Sequence, residues 1–218
     1  MPTEWDWRKF GVVTPPRNQG KCGSCWSFAA ACVLESHNMK RLIAEGKFDP
    51  KSQLTVSEQN FIDCSADFGT IGCDGGLYWM PQQAFKYVAA NKGIMGVDSY
   101  PYTGKKDKCV YNVAKRVDVE VKEGKRLKTG QDADLVTAIY NYGPVAIAVH
   151  VTKDMAAYKS GIFDDSKCSA KKVNHAVVAV GYHSDYFIVR NSWGPKWGED
   201  GYIRIARSKT NNCGVSQQ

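Results

Sequence analysis

The pattern of apolar and polar positions changes near residue 144, from helical spacing to short β-branched and aromatic runs between turns. Helix signals, including a Ser24 N-cap and a capping box at 55–58, predict helices over 25–44, up to about 64, over 82–91 and over 132–142. Strands are predicted at 145–151, 174–182, 186–191 and 201–207, with a hairpin tip at 183–185. The sequence therefore predicts an α+β protein with two subdomains, 1–112 and 113–218, and a cleft between them.

Composition places the chain among ordinary globular proteins, with 218 residues, 43% hydrophobic residues and a net charge of +7. No run of about 18 apolar residues exists, so we expect no membrane span. The first residues lack an apolar core, which predicts that a secretory signal is absent or was removed. The basic run at 122–128 lacks interleaved aromatics and is typical of a solvated loop, so no nucleic-acid partner is predicted.

The eight cysteines are spread along the whole chain, which is common in exported proteins and unusual in cytosolic ones. They are Cys22, Cys25, Cys32, Cys64, Cys73, Cys109, Cys168 and Cys213. Only the first two form a C-x-x-C pair, and no second pair with zinc spacing follows. We therefore expect no metal site and no cofactor.

Cys25 lies in the first turn of the long predicted helix, where the helix dipole and open backbone N–H groups favour a thiolate. Cys32 is seven residues further on, about 10.5 Å away at 1.5 Å per residue, too far for a disulfide with Cys25. Within its apolar run Cys32 is interpreted as a buried free thiol. The six remaining cysteines allow about fifteen pairings, among which the residues alone do not choose.

A reactive thiol needs a base, and the chain offers four histidines, His37, His150, His175 and His183. His37 lies on the same helix as Cys25, about 18 Å away by the same rise, and is out of reach. His175 opens a predicted strand, where its side chain can face the cleft. The residue pattern alone does not separate it from His150 or His183.

Five segments occur in order: QGKCGSCWSF at 19–28, SEQNFIDC at 57–64, GCDGG at 72–76, NHA at 174–176, and NSWG at 191–194 followed by WGE at 197–199. Together they resemble the papain family of cysteine proteases, on its cathepsin L-like side, from about Trp5 to Gly214. The resemblance implies a papain-like fold of two subdomains. A helix-rich left lobe would carry the nucleophile, and an antiparallel, barrel-like β lobe would carry the histidine and asparagine across a cleft.

The resemblance also implies roles for the motif residues. Cys25 would be the nucleophile, His175 would hold its proton, and Asn191 would orient the imidazole. The Gln19 side-chain amide and the Cys25 backbone N–H would stabilise the oxyanion. Trp193 would shield the histidine–asparagine hydrogen bond from water.

Substrate contacts and disulfides follow from the same resemblance. The backbone edge formed by Gly75 and Gly76 would pair with an extended substrate, and Gly23 and Asn174 would line the same cleft. The main specificity pocket would be lined by Leu77, Tyr78, Ala148, Val173 and Ala176, with Gln218 near its floor. These apolar walls predict an endopeptidase with an aliphatic or aromatic preference at P2, the second residue before the cut. The implied bridges are Cys22–Cys73, Cys64–Cys109 and Cys168–Cys213.

Three features differ from the family pattern. The stretch 78–81 is about three residues longer than usual, the chain stops at Gln218 before the usual terminal strand, and no inhibitory propeptide is present. We therefore expect a mature form cut from a longer precursor. Expected partners are peptide substrates, its own propeptide and cystatin-like inhibitors, and the protein is expected to be a monomer in an acidic lysosome-like compartment or secreted.

Two other functions fit parts of the sequence. A thiol–disulfide oxidoreductase would need Cys22 and Cys25 to pair reversibly, usually on a thioredoxin-like scaffold that the predicted strand order lacks. A catalytically silent binding or storage protein of the same family would usually lack the nucleophile or the base. Both are present here, which favours an enzyme.

Overall fold

The computed structural model describes residues 1–51, 53–75, 80–117, 119–127, 130–207 and 212–216. Its helices are α1 (Cys25–Ala44), α2 (Glu58–Cys64), α3 (Met80–Asn91), α4 (Asp132–Asn141) and the single-turn α5 (Lys153–Ala156). The four longer helices are the predicted ones, and α1 has the predicted bounds. Among the described residues, no helix is long and apolar enough to span a bilayer.

The strands form a large sheet and a small one. They are β1 (Trp5–Asp6), β2 (Ile94–Met95), β3 (Arg116–Val117), β4 (Val145–Val149), β5 (Ile162–Phe163), β6 (His175–Tyr182), β7 (Tyr186–Arg190) and β8 (Tyr202–Ala206). The large sheet has the order β1-β6-β7-β8-β5, with β4 also paired to β6, and β2 pairs with β3. All pairs are antiparallel except β5 and β8.

The helix α1 is central because its N-terminal half is buried on most sides. It contacts β6 on one side and α3 on another. This burial explains the apolar run after Cys25: α1 has no broad solvent face in its first three turns, so the sequence there does not alternate with polar residues. Cys25 is thereby fixed at the junction of the helical half and the sheet.

The first residues of the chain do not pack with the helix-rich half to which the predicted boundary assigns them. The strand β1 pairs with β6, and Trp7 packs into the core cluster of the sheet, although both lie in the segment 1–112. The domain boundary near residue 112 therefore remains a prediction. The structure shows that the first residues of the chain cross to the strand-rich half.

The start of α2 differs from the prediction. Its N-cap is Ser57, whose hydroxyl accepts a hydrogen bond from the Asn60 backbone N–H, and the capping box predicted at Thr55 does not form. The reason is tertiary, since the Val56 N–H donates to the buried Glu35 carboxylate at 2.7 Å. This contact holds residues 55–56 extended and moves the helix start two residues along the chain.

A buried ion cluster joins α1 and α2 beneath the N-terminal loop. Arg17 Nη2 lies 2.6 Å from Glu35 Oε1, and Arg17 Nε lies 2.8 Å from Glu58 Oε1. Thr14 and the Val56 N–H also donate to Glu35. One guanidinium thus lies between two buried carboxylates. Burial raises the pKa of Glu58 to about 7, although the positive charge of Arg17 acts to lower that pKa.

We expect the stability of the fold to decline as the pH rises through the range between the unfolded and folded pKa values of Glu58. The unfolded carboxyl titrates near 4.5 and the folded one near 7, so in this window the folded state holds one proton more. The free energy of unfolding should fall by about 3 kcal/mol from pH 4.5 to 7. Urea denaturation at several pH values measures this directly.

The matched variant is Glu58→Gln, which should lose most of this pH dependence because the amide does not titrate. Glu45→Gln, which removes an exposed carboxylate directly after α1, should keep the decline of stability with pH. Equal slopes of unfolding free energy against pH in the parent protein and Glu58→Gln would contradict the assignment.

Candidate active site

The Cys25 thiol lies at the N-terminus of α1 and is buried, with 6% of the residue exposed. The backbone N–H of Ala176, in β6, donates to Cys25 Sγ at 3.4 Å. Burial raises the pKa of the Cys25 thiol, whereas the N–H groups of Ala176, Trp26 and Cys25 itself act to lower it. The sulfur therefore sits where the first turn of a helix meets the first residues of a strand.

His175 is the first residue of β6, directly before the residue that contacts the sulfur. Its Nε2 lies 2.8 Å from Asn191 Oδ1, and Asn191 follows the last residue of β7. The ring of Trp193 stacks on the imidazole with centroids 4.9 Å apart. Burial lowers the pKa of His175 to about 4, and the hydrogen bond to Asn191 opposes this shift.

Register explains why these side chains meet. The antiparallel pairing of β6 with β7 aligns Val178 with Arg190, so the strand end at 190–191 lies beside the start of β6. The pairing of β6 with β4 places Ala148 opposite Ala176 and Val149 opposite His175. The sheet thus delivers His175, Ala176 and Asn191 to the same edge, facing the start of α1.

Every polar group of Gln19 has a partner. Its backbone N–H donates to the Ser192 carbonyl at 2.9 Å, and its Oε1 accepts from Ser192 Oγ at 2.5 Å. Its Nε2 donates one hydrogen to the Cys22 carbonyl at 2.9 Å, which leaves the second amide hydrogen for another acceptor. Gln19 is buried, so its amide is held in one orientation beside the Cys25 loop.

The loop before Cys25 is fastened to the segment 73–75. Cys22 is bonded to Cys73, and the Gly23 N–H donates to the Cys73 carbonyl at 2.9 Å. A Cβ at Gly23 would lie 2.6 Å from the backbone of Cys73 and Gly75, so only glycine allows this approach. Gly75, with φ of 97°, needs glycine for its backbone conformation.

The other cysteines form the pairs Cys64–Cys109 and Cys168–Cys213, and Cys25 and Cys32 are free. The three bridges are the ones that the family resemblance implies. Because Cys22 is bonded to Cys73, it does not form the reversible pair with Cys25 that an oxidoreductase would need.

The predicted specificity pocket is only partly within the described residues. Ala148 and Ala176 are buried neighbours across β4 and β6, Val173 is half-buried, and Asn174 is exposed with its Oδ1 accepting from the Val151 N–H. Gly76, Leu77, Tyr78 and Gln218 lie outside the described residues, as does most of the long stretch before α3.

Sequence reasoning missed two residues that contact the candidate site. Ser192 lies inside the NSWG motif, and its position between Asn191 and Trp193 was the available signal. Tyr102 donates to the Gln19 carbonyl, and nothing in its sequence context indicates this contact. Ser24 is the N-cap residue as predicted, but its side chain makes no capping hydrogen bond because its hydroxyl contacts Tyr102.

A cysteine at a helix N-terminus, beside a histidine held by an asparagine, is the arrangement of a thiol peptidase. The family model for papain family cysteine proteases matches residues 1–218. The chain belongs to the papain family of cysteine proteases.

Curated relatives and solved structures agree with this membership. The chain is 46% identical to mouse pro-cathepsin H, over 99% of this chain and 63% of that protein. It is 41% identical to a cathepsin L-like protein of Caenorhabditis elegans, over 99% of this chain and 62% of that protein. The chain therefore spans less than two thirds of the length of these relatives.

Two solved structures have the same fold. Digestive procathepsin L 3 of Tenebrio molitor larval midgut matches with a TM-score of 0.87 and 37% identity, over 99% of this chain and 68% of that one. A cysteine protease of Carica candamarcensis in complex with E-64 matches with a TM-score of 0.84 and 37% identity, over 99% of this chain and 95% of that one. The papain-like α+β fold expected from the sequence is confirmed.

Proposed function

We propose that this chain is a cysteine endopeptidase that cleaves peptide bonds through a thiolate–imidazolium pair and an acyl-enzyme. The observation that supports the proposal is that the first two residues of β6 contact both the candidate nucleophile and the asparagine. Ala176 donates to Cys25 Sγ while its neighbour His175 is held through Nε2 by Asn191. The imidazole is thus oriented with Nδ1 as the nitrogen that exchanges a proton with the sulfur.

The proton of Cys25 moves to His175 Nδ1, which creates both charges at once and leaves the pair neutral. Burial disfavours an isolated thiolate or an isolated imidazolium. Two opposite charges that form together stabilise each other and offset this cost. The thiolate then attacks the substrate carbonyl. The Cys25 N–H and the second hydrogen of Gln19 Nε2 stabilise the resulting oxyanion.

Collapse of this intermediate breaks the peptide bond, and the imidazolium gives its proton to the departing amine. A water molecule, deprotonated by His175, then attacks the thioester and releases the acid. Trp193, stacked on the imidazole, covers the Asn191 hydrogen bond and keeps water from competing for it.

An inactivator with an epoxide warhead tests the chemistry. We expect one equivalent to abolish peptidase activity and mass mapping to find the label on Cys25. Cys32 is an internal control, since it is equally free of a bridge but fully buried, and it should remain unlabelled. A catalytically silent protein would bind substrates without hydrolysis or stoichiometric labelling.

We propose a hydrophobic preference at P2. The described part of the pocket, Ala148, Ala176 and the half-buried Val173, offers apolar walls without a charge. Substrates with Leu, Val or Phe at P2 are expected to exceed the matched Arg substrate in kcat/KM by about tenfold or more, a difference worth about 1.4 kcal/mol. A panel of otherwise identical fluorogenic dipeptides measures this ratio, and faster cleavage after Arg at P2 would refute it.

The remaining proposals concern the setting of the enzyme. The relatives named as pro-cathepsins support an inhibitory propeptide in a longer precursor. Cystatin-like inhibitors would block the same cleft in a monomeric enzyme. Three disulfides fit folding in an oxidising compartment, followed by residence in an acidic lysosome-like compartment or secretion.

A further inference from the structure

The hydroxyl of Tyr102 contacts both ends of the active-site loop 19–24. It adds a second link to the one made by the Cys22 carbonyl, which accepts from Gln19 Nε2 at 2.9 Å and from the Ser24 N–H at 2.8 Å. Tyr102 Oη donates to the backbone carbonyl of Gln19 at 2.7 Å and lies 2.9 Å from Ser24 Oγ. A carbonyl only accepts and a phenol has one hydrogen, so Ser24 is the donor in the second contact, which at 2.9 Å is shorter than its 3.5 Å contact with the Cys22 carbonyl. The result is a chain of two hydrogen bonds, from Ser24 through Tyr102 to Gln19.

Tyr102 itself is held firmly by the helical half. Its ring meets the buried Phe28 of α1 edge to face, with centroids 5.0 Å apart. The N–H of the next residue, Thr103, donates to Gln59 Oε1 of α2 at 2.9 Å. The hydroxyl is therefore presented by a side chain whose ring and backbone are both anchored on helices.

The two residues held by Tyr102 are those that position the two oxyanion donors. Gln19 supplies the side-chain amide, and Ser24 directly precedes Cys25, which supplies the backbone N–H. Because the Ser24 hydroxyl is engaged with Tyr102, it makes no capping bond to the first turn of α1. The Ser27 N–H donates to the Ser24 carbonyl at 2.9 Å, and the N–H groups of Cys25 and Trp26 are left for the sulfur and the oxyanion.

We infer that Tyr102 is a positioning residue for the oxyanion hole, which fixes the Gln19 amide and the Cys25 N–H relative to each other. The inference rests on the proposed function. Tyr102 does not touch the reacting atoms. Its contribution is preorganisation, because oxyanion donors act only when they are held at the place where the charge develops.

The test is the variant Tyr102→Phe, which keeps the ring and its contact with Phe28 and removes only the hydroxyl. For a peptide substrate we expect kcat to fall about tenfold with KM changed less than twofold, since the lost interaction operates in the transition state. Alkylation of Cys25 by iodoacetamide needs the thiolate but no oxyanion hole, so its rate should stay within twofold of the parent enzyme.

Two further variants separate positioning from general loosening. Tyr100→Phe removes a hydroxyl from the same segment, one that donates to Asp63 at 2.9 Å and has no contact with the active-site loop, and should leave kcat unchanged. In a Gln19→Ala background, Tyr102→Phe should cost less than in the parent enzyme, because one of the two donors it aligns is already gone.

Three outcomes would overturn the inference: an unchanged kcat in Tyr102→Phe, a parallel loss of kcat and alkylation rate, or full additivity with Gln19→Ala. Failure of the proposed function looks different. In that case the parent protein itself would show neither hydrolysis nor epoxide labelling at Cys25, whatever residue 102 is.

Discussion

Replacing Cys25 with serine is expected to lower kcat/KM for peptide hydrolysis by on the order of 10⁴-fold or more. The serine hydroxyl is a far weaker acid than a thiol, and the candidate base His175 has a pKa that burial lowers to about 4. An imidazole of such low basicity is an inefficient general base for an alcohol. Steady-state kinetics with a fluorogenic peptide, after treatment with the epoxide to silence contaminating enzymes, measures the residual rate.

The same variant exposes the ionisation of His175. Without a thiolate beside it, the imidazole is left with the burial that disfavours its charged form, so its pKa should be about 4. On the proposed mechanism the parent enzyme forms a thiolate at Cys25, which should stabilise the imidazolium and raise the apparent pKa of His175 above the value that burial alone gives it. Titration of the His175 ring signals by NMR compares the two proteins, and a titration near 6.5 in Cys25→Ser would contradict a buried, desolvated imidazole.

The control for this comparison is His183, which is half-buried at the hairpin tip between β6 and β7 and stacks on Tyr186. It follows the far end of β6 from His175, so the chemical shifts of its ring at a fixed pH should be the same in both proteins. A shift of both histidines would indicate a general change of the fold.

Local signals account for what the sequence predicted well. The helix predicted over 25–44 has the bounds of α1 to the residue, because the burial of its N-terminal half agrees with its intrinsic helix propensity. The predicted strand 174–182 corresponds to β6, His175–Tyr182, since all eight of its residues are buried and its β-branched residues suit a central strand.

The misses come from contacts between distant parts of the chain. The pairing of Trp5 with Tyr182 spans most of the sequence, and a two-residue strand has no pattern of its own. The parallel pairing of β5 with β8 has no local signal either. These elements exist because neighbouring strands supply backbone partners, and this information is absent from any window of the sequence.

In the candidate site too, some features follow from local sequence signals and others from contacts between distant residues. The placement of Cys25 at a helix start follows from local capping signals, whereas the choice of His175 among the histidines depended on the family resemblance. The link from Ser192 to Gln19 joins residues 173 positions apart, and only the folded chain shows it. Chemistry could be predicted from residue types, but the hydrogen bonds that orient those residues could not.

Loss of the Cys22–Cys73 bridge is expected to destabilise the fold strongly and to impair catalysis as well. The bridge closes a loop with a sequence separation of 51, for which chain entropy predicts a loss of about 4 kcal/mol in the free energy of unfolding. The double variant Cys22→Ser/Cys73→Ser avoids a new free thiol. Urea denaturation, with Cys25 blocked by the epoxide, measures the change.

The matched variant is Cys64→Ser/Cys109→Ser, because that bridge closes a loop of similar separation, 45, at the end of α2 and away from Cys25. Both double variants should lose similar stability. At a temperature where both remain folded, only the loss of Cys22–Cys73 should reduce kcat, because that bridge fastens the loop carrying Gly23 to the Cys73 segment. Equal kcat losses in the two variants would show that the bridges act on stability alone and that the active-site loop holds its position without the covalent anchor.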